Sequence, residues 1–394
     1  MKYPREESRY EFFELTGWPV FMITVTLAAV VLFVAVFLVP RYRKPGASRY
    51  IIQFTSILLV TVLTLLVIFL KLNNDNQWYG NWGDLVTGGD GGSVATQTAG
   101  LAVPSDAAAA ELPHAPFTST QLDPRGSREI GAQVDPTATG GQWAHFELKG
   151  KESHVTQQVT VWLPPSYFTE KDRAFPVITA FTGFPGSVNT YSKSMNFDQH
   201  IKAAVRDSAV REPIVVIPDV FPGNHDTECV DGNHGKYETF VSRDVVSWVR
   251  ENLRVSQDPQ AWSTFGYSAG GWCSSMFTVR HPDIWGNSIN MAGYFAPDYS
   301  KGQEWVTADP AGYDLGKVVE KNNPDVNIWF FTGGEDTPGI KAVEKFKETV
   351  KDPTGLVVNT SQTGGHRVPL WTAQIEPSLQ WLGQVSPYFA APHS

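Results

Sequence analysis

Two long apolar runs open the chain and differ from everything that follows them. Residues 18–39 carry no charge and are rich in Val, Leu, Ala and Phe, and residues 51–70 repeat this pattern. Each run has about the 20 residues that a helix needs to cross the hydrocarbon core of a bilayer. Neither has the regular polar positions of a soluble surface helix. We therefore predict two transmembrane helices, at about 18–39 and 51–70, within an N-terminal membrane anchor over residues 1–72.

The loop between the two runs indicates how the hairpin is oriented. Residues 41–49 contain four basic residues and no acidic one. Short loops rich in Lys and Arg remain in the cytoplasm. The turn is therefore expected inside and both ends outside, although three basic residues near the N-terminus favour the opposite orientation. The part of the chain after the hairpin is predicted to be extracytoplasmic, which makes this a multi-pass protein of the cell membrane.

The next stretch, residues 73–141, is dominated by Gly, Ala, Thr, Ser and Pro. Neither the helical period nor the alternation of a strand persists there. Such a composition buries too little apolar surface to offset the entropy lost on ordering. We predict a flexible extracytoplasmic linker over this range.

From residue 142 onward, short apolar runs alternate with amphipathic stretches. The strand-like runs include residues 157–163, 176–181, 214–218, 263–267 and 328–331, and residues 237–253 show the clearest helical period. Alternation of strands and helices is typical of a mostly parallel sheet covered by helices. We predict one α/β domain over residues 142–394, with its ligands at the carboxyl ends of the strands.

The amino-acid composition excludes some classes of function. The 394 residues carry a net charge of -9, with 31 Lys and Arg against 40 Asp and Glu. This balance argues against a nucleic-acid-binding protein, which needs a basic face for phosphates. The 42% of hydrophobic residues is enough for a sizeable core. Two cysteines are too few for a four-cysteine zinc site.

A candidate nucleophile lies at the end of one predicted strand. Residues 266–270 read Gly-Tyr-Ser-Ala-Gly, between a strand-like run and an amphipathic stretch. The G-x-S-x-G motif in this context places its serine on a tight strand-to-helix turn. The helix N-terminus beside that turn favours a developing anion. Ser268 is therefore the predicted catalytic nucleophile.

A serine hydroxyl needs a base and an orienting acid, which follow it in the order acid, then histidine. His366 lies in a loop after the strand-like residues 356–360 and is the predicted base. The preceding strand-like run ends at Thr332 and leads to Glu335 and Asp336. We choose Asp336 as the acid because a G-x-x-D sequence at a strand end is the commoner form. Glu335 remains the alternative.

Two backbone N–H groups are expected to form the oxyanion hole. One belongs to Ala269, the residue after the nucleophile, and the other to a loop after an earlier strand. Residues 182–186 are a Gly- and Pro-rich turn in the required place. We predict Phe184 as the second donor.

These residues together resemble the putative-esterase family of α/β-hydrolases, which includes esterase D, feruloyl esterases and the mycobacterial mycolyltransferases. The resemblance covers about residues 155–385 and leaves out the hairpin and the linker. It lies in residues 175–176, 183–186, 238–245, 266–271, 280–283, 333–336, and His366 with Trp371. It implies an α/β-hydrolase fold and an acyl-enzyme on Ser268, with His366 as base and an acid at 335–336. Family members often have His or Asp where this chain has Thr182. In the mycolyltransferases the acidic residue helps to hold the acceptor, so Thr182 weakens that particular assignment.

The aromatic residues beside the catalytic positions are candidates for substrate binding. They are Tyr267, Trp272 and Trp371, and Thr182 joins them from the oxyanion loop. Trp272 and Trp371 adjoin catalytic positions and are therefore candidates to line an acyl pocket.

The two cysteines support the same arrangement of loops. Cys229 follows the strand at 214–218, and Cys273 lies one turn into the nucleophile helix. A disulfide is favoured outside the cytoplasm, so we predict a Cys229–Cys273 bond, with two separate thiols as the alternative. Residues 225–234 contain five acidic or histidine side chains that suit a metal. A solvated polar loop explains them equally well, and we predict no metal and no cofactor.

The predicted function is that of a membrane-anchored extracytoplasmic serine esterase. Its substrate is expected to be a lipid, glycolipid or envelope-polymer ester, because the enzyme is held beside the bilayer. Two alternatives remain at this point. One is an acyltransferase of the mycolyltransferase type, which moves an acyl chain to a sugar or lipid hydroxyl. The other is a non-catalytic binding module with a hydrolase fold. The hairpin could instead assemble a larger membrane complex, although the sequence identifies no protein partner.

Overall fold

A computed structural model gives the fold of the chain. It describes residue 15 and residues 18–41, 47–76, 79, 82–87, 91–100, 134–135, 137 and 139–392. The chain forms two compact units. The first contains residues 1–92, 333–336 and 362–370, and the second contains residues 93–332, 337–361 and 371–394.

Two long apolar helices dominate the first unit. Helix α1 (Trp18–Phe33) continues through a π-helical turn at Val34–Leu38 and a 3₁₀ turn at Val39–Arg41, and α2 spans Ala47–Asn76. By length and composition, both helices are able to cross a membrane. Most of their large apolar side chains are exposed, whereas a core helix of a soluble protein would bury them. Residues 42–46 of the basic loop lie outside the described residues.

A short helix and a small apolar cluster complete the described part of residues 1–92. Helix α3 spans Trp82–Thr87. Leu15, Val20 and Leu70 are buried together, and Tyr79 packs against them. Tyr79 is thus held against the two apolar helices by apolar contacts.

A nine-stranded sheet forms the centre of the second unit. Its strands lie in the spatial order β1-β11-β10-β9-β8-β4-β5-β3-β2. Strands β5, β4, β8, β9, β10 and β11 run parallel, and β1, β2 and β3 pair antiparallel with their neighbours. A separate two-stranded ribbon is formed by β6 and β7. The strands are β1 (Val94–Ala99), β2 (Gln142–Lys149), β3 (Thr156–Leu163), β4 (Val177–Phe181), β5 (Ile214–Pro218), β6 (Asp231–Gly232), β7 (Gly235–Lys236), β8 (Trp262–Tyr267), β9 (Asn287–Met291), β10 (Asn327–Thr332) and β11 (Gly355–Ser361).

Helices follow most of the central strands. They are α4 (Pro165–Thr169), α5 (Phe197–Arg206), α6 (Tyr237–Thr239), α7 (Val246–Asn252), α8 (Ala269–Arg280), α9 (Leu315–Asn322), α10 (Thr337–Lys347), α11 (Val368–Thr372) and α12 (Ile375–Val385). A π-helical stretch at Phe240–Val245 joins α6 to α7, so the helical period predicted over 237–253 is present as one interrupted helix. The central strands β4, β5, β8 and β9 are buried along their whole length. Complete burial explains why β5, for example, is apolar at every position rather than alternating.

The linker prediction is wrong for one segment of residues 73–141. Residues 94–99 form β1, which pairs with the outer parallel strand from Val94 opposite Ser361 to Ala99 opposite Leu356. The segment alternates Val and Thr with small residues, and its pairing satisfies the backbone groups along one side of β11. Its side chains are mostly exposed, so it has little apolar pattern for a sequence analysis to detect. Residues 101–133 of the predicted linker lie outside the described residues.

Candidate active site

Ser268 occupies a sharp turn between β8 and α8. Its backbone angles are φ 57° and ψ −128°, a left-handed conformation that is uncommon for a residue with a side chain. The Ser268 N–H donates to the Met291 carbonyl at 2.8 Å, and the Ser268 carbonyl accepts from the Gly271 N–H at 2.8 Å. The first bond joins the turn to the neighbouring strand β9, and the second begins the first turn of α8. A strained serine at this position is the expected form of a nucleophile elbow.

The glycines of the motif allow three backbone segments to meet at this turn. A Cβ added to Gly270 would overlap the carbonyl oxygens of Phe181 and Thr182, and one added to Gly266 would overlap the Gly270 carbonyl. Strand β4, strand β8 and the start of α8 therefore approach each other at backbone distance. The sequence motif is explained by this close packing.

The predicted oxyanion loop passes directly beside the nucleophile. A Cβ added to Gly183 would lie 2.9 Å from the Tyr267 ring and 3.1 Å from the Ser268 Cβ. Phe184 follows in the chain, and its ring contacts that of Phe221 at a centroid distance of 5.5 Å. Ala269 is the first residue of α8, where N–H groups have no partner inside the helix. The two predicted donors thus belong to segments that meet at Ser268.

An aspartate and a histidine are paired in the loops of the first unit. Asp336 Oδ2 lies 2.8 Å from His366 Nδ1. The Asp336 side chain is 1% exposed, whereas that of His366 is 25% exposed. The Asp336 N–H also donates to the Gly333 carbonyl at 3.1 Å. A buried carboxylate at this distance holds the imidazole in one orientation.

The neighbouring carboxylate has a different contact. Glu335 Oε2 accepts the Gly364 N–H at 3.0 Å, and the Glu335 N–H donates to the Gly364 carbonyl at 3.0 Å. Gly364 has φ 95°, which a side chain would strain. Glu335 therefore braces the loop that carries His366. The sequence analysis considered Glu335 only as an alternative acid, and the Gly-Gly pair before His366 was the available sign of a close approach.

Two of the predicted substrate-binding aromatics form a buried pair. Tyr267 and Trp371 are each 4% exposed, and their rings stack at 5.1 Å and 25°. Burial raises the pKa of the Tyr267 hydroxyl, so that group is neutral. Thr182 is also buried, at 6% exposed.

Trp272, which the sequence predicts to line an acyl pocket, has protein partners on several sides. Its side chain is fully buried. The indole Nε1 donates to the Glu228 carbonyl at 2.8 Å, and the ring stacks with Tyr294 at 6.0 Å. We leave Trp272 out of the site proposed below.

A disulfide ties the loop after β5 to the nucleophile helix. Cys229 and Cys273 are bonded, with their Cα atoms 5.8 Å apart. Beside this bond, Glu228 Oε1 accepts a hydrogen bond from the Tyr294 hydroxyl at 2.5 Å. Burial and the nearby Asp226 raise the pKa of the Glu228 carboxyl well above its ordinary value. Among the described residues, no cluster of three or more His, Cys, Asp or Glu side chains has the geometry of a metal site.

The mostly parallel sheet and the serine elbow define an α/β-hydrolase fold, as the sequence predicted. The family described as "Putative esterase" matches residues 153–382, and the chain belongs to this family. It therefore has the fold of an esterase-family hydrolase.

Three individual proteins are similar to this chain. An uncharacterised protein of Corynebacterium glutamicum is 24% identical over 301 residues, which cover 70% of this chain and 67% of the relative. A ferulic acid esterase has a similar structure, with a TM-score of 0.55 and 19% identity, over 62% of this chain and 98% of that one. An S-formylglutathione hydrolase from Agrobacterium tumefaciens has a TM-score of 0.52 and 17% identity, over 64% of this chain and 98% of its own. At these identities the two structures demonstrate a shared fold.

Proposed function

We propose that this protein is a membrane-anchored serine esterase whose catalytic domain lies outside the cytoplasm. The observation that carries the proposal is the left-handed backbone of Ser268 at the strand-to-helix turn. A strained serine in a G-x-S-x-G motif, in a member of an esterase family, is the arrangement of a catalytic nucleophile. The hydrogen bond between Asp336 and His366 supplies the matching base and its orienting acid.

The proposed reaction passes through an acyl-enzyme. His366 takes the proton from the Ser268 hydroxyl as the oxygen attacks the ester carbonyl. The tetrahedral intermediate collapses, and His366 gives its proton to the departing alcohol. Water then attacks the acyl-enzyme with His366 as base, which releases the acid and restores Ser268. Throughout, Asp336 holds the ring and stabilises the imidazolium, without taking the proton itself.

The oxyanion formed in each step is assigned to the Phe184 and Ala269 N–H groups. Gly183 brings the Phe184 loop against Ser268, and Ala269 begins the helix after it. Backbone N–H groups in these positions stabilise the negative charge as it develops. Tyr267, Trp371 and Thr182 are proposed as the wall that supports this region, because all three are buried.

The proposed location rests on the hairpin and the disulfide. Helices α1 and α2 are able to span a bilayer, and disulfides such as Cys229–Cys273 persist outside the reducing cytoplasm. The basic loop between the helices favours a cytoplasmic turn. We propose a lipid, glycolipid or envelope-polymer ester as substrate, because the enzyme is held at the surface where such esters are found.

The test uses the full-length protein in detergent micelles. Release of p-nitrophenol from acetate, butyrate and palmitate esters is measured for the wild type, Ser268→Ala and the surface control Ser208→Ala. Labelling by a fluorophosphonate is measured in parallel. We expect turnover and labelling in the wild type and the control, and the loss of both in Ser268→Ala. Turnover that survives in Ser268→Ala contradicts the proposal. A folded wild type with neither turnover nor labelling also contradicts it and favours a binding module.

A further inference from the structure

Hydrogen bonds join the end of α2, the second apolar helix, to Tyr79. Asn73, which is fully buried, lies near the C-terminus of α2. Its amide Nδ2 donates to the Tyr79 carbonyl at 2.9 Å, and its Oδ1 accepts the Tyr79 N–H at 2.9 Å. The Tyr79 ring also contacts Phe69 of the same helix, at a centroid distance of 6.4 Å. Two hydrogen bonds and a ring contact thus fix Tyr79 relative to α2.

The second contact joins Tyr79 to the loop that carries His366. The Arg367 guanidinium lies over the Tyr79 ring, with Cζ 5.3 Å from the centroid. At this distance an aromatic ring attracts a cation. Arg367 is only 6% exposed, so this attraction is little weakened by water. Because Arg367 is the residue after His366, the membrane helix and the proposed catalytic base are linked through one ring and one cation.

The same loop is held again a few residues upstream. The Thr363 N–H donates to the Gly91 carbonyl at 3.1 Å. Gly92, with φ 64°, lies against Gln362, where an added Cβ would be 3.2 Å from the Gln362 Oε1. The segment between α2 and β1 therefore contacts the His366 loop twice, through Tyr79 near its start and through Gly91 and Gly92 near its end. Glu335 and Asp336 hold the loop in addition to these contacts.

We propose that the membrane hairpin positions the catalytic histidine through Asn73, Tyr79 and Arg367. The inference rests on the proposed function, in which His366 is the base. It makes the anchor a working part of the active site rather than only a tether. Asn73 and Tyr79 act through the loop and are therefore positioning residues. A base displaced by about 1 Å costs roughly a hundredfold in rate, so small changes in these contacts affect kcat.

The experiment measures p-nitrophenyl butyrate hydrolysis by the full-length protein in detergent micelles. Rates are divided by the number of sites that a fluorophosphonate labels, so that misfolded protein does not count. Tyr79→Leu removes the ring that faces Arg367, and Tyr79→Phe keeps it. Tyr50→Leu makes the same replacement at a position of α2 that is 74% exposed.

We expect Tyr79→Leu to lower kcat per labelled site about tenfold to a hundredfold, with KM changed less than about twofold. Tyr79→Phe should restore most of the rate, and Tyr50→Leu should match the wild type. A residue with a structural role only would lower the number of labelled sites and leave kcat per site unchanged. That result would overturn the inference.

One further variant, together with the labelling of the wild type, separates the possible failures. Asn73→Leu removes both hydrogen bonds to Tyr79 while the ring and the cation remain, and it is expected to lower kcat about tenfold. If Tyr79→Leu does not fold, the Asn73→Leu variant tests the positioning of His366 in its place. A kcat equal to that of the wild type in Asn73→Leu contradicts the positioning role. If the proposed function itself fails, the wild type shows no labelling that depends on Ser268. If only the inference fails, the wild type is labelled and the variants react as fast as it does.

Discussion

At the scale of single residues, two adjacent carboxylates beside the histidine loop have different tasks. Asp336 contacts the His366 imidazole, and Glu335 contacts the backbone of Gly364. The two side chains are neighbours in the chain, yet one is aimed at a ring nitrogen and the other at a peptide N–H. Their chemical types are almost identical, so geometry alone assigns the roles.

This difference predicts unequal effects of two matched substitutions. Asp336→Asn removes the charge that stabilises the imidazolium and allows the wrong tautomer, so kcat should fall about 10³–10⁴-fold. Glu335→Gln keeps an acceptor for the Gly364 N–H, and kcat should fall less than about tenfold. Steady-state hydrolysis of p-nitrophenyl butyrate measures both. The roles are reversed if Glu335→Gln proves the more damaging of the two.

At the scale of elements, helix α8 is fixed at both ends. Its first turn begins at Ser268, and its Cys273 is bonded to the loop after β5. At its other end, Glu238 Oε1 lies 2.7 Å from Arg280 Nε and 2.8 Å from His281 Nε2, and Tyr313 donates to Oε2 at 2.5 Å. The helix that follows Ser268 is thus held by a charged cluster at its far end as well.

The cluster predicts a specific pH dependence of stability. Burial alone would raise the pKa of the Glu238 carboxyl, but hydrogen bonds from His281 and Arg280 lower it to about 2. Since the pKa in the folded state lies below the ordinary value of 4.5, the ionised carboxyl stabilises the fold above about pH 4.5. That stabilisation, about 3 kcal/mol, is lost as the pH falls toward 2.

Glu238→Gln tests this dependence against an exposed control, Glu320→Gln on α9. Urea unfolding should show Glu238→Gln about 3 kcal/mol less stable than the wild type at pH 7, with a smaller difference at pH 3. Glu320→Gln should change stability by less than about 0.5 kcal/mol at either pH. A deficit that is equal at pH 7 and pH 3 would mean that the charge is not responsible.

At the scale of the whole molecule, the nine-stranded sheet begins earlier in the chain than the composition indicates. Strand β1 covers one side of β11, the strand that leads into the His366 loop. An unpaired outer strand exposes backbone groups that promote aggregation. The fragment that starts at residue 142 therefore lacks part of the sheet.

Three fragments test how much β1 contributes. The first fragment, residues 93–394, contains β1. The second, residues 101–394, lacks β1 but contains the segment that follows it. The third, residues 142–394, lacks both. The six cross-strand pairs of β1 should contribute about 2 kcal/mol, which corresponds to roughly 4–8 °C in Tm for a domain of this size. We expect the first fragment to melt that much higher than the second. Equal melting of all three in calorimetry would show that β1 is dispensable.

Much of the fold follows from short-range patterns. The two apolar runs, the alternation of strands and helices, and the G-x-S-x-G turn each involve residues close together in the chain. Their physical causes are local, since helical period, strand burial and tight-turn sterics act over a few residues. For this reason the α/β-hydrolase fold and the position of Ser268 at a strand-to-helix turn were predictable.

The tertiary structure decided what depends on residues far apart. It selected Asp336 over Glu335 as the partner of His366, placed Trp272 in the core and recruited residues 94–99 into the sheet. It also brought Tyr79 to Arg367, which are separated by most of the chain. None of these contacts has a periodic signature, because each depends on where the backbone returns after long excursions. The sequence alone determined the elements and the chemistry they carry, and the packing of those elements determined which side chains meet.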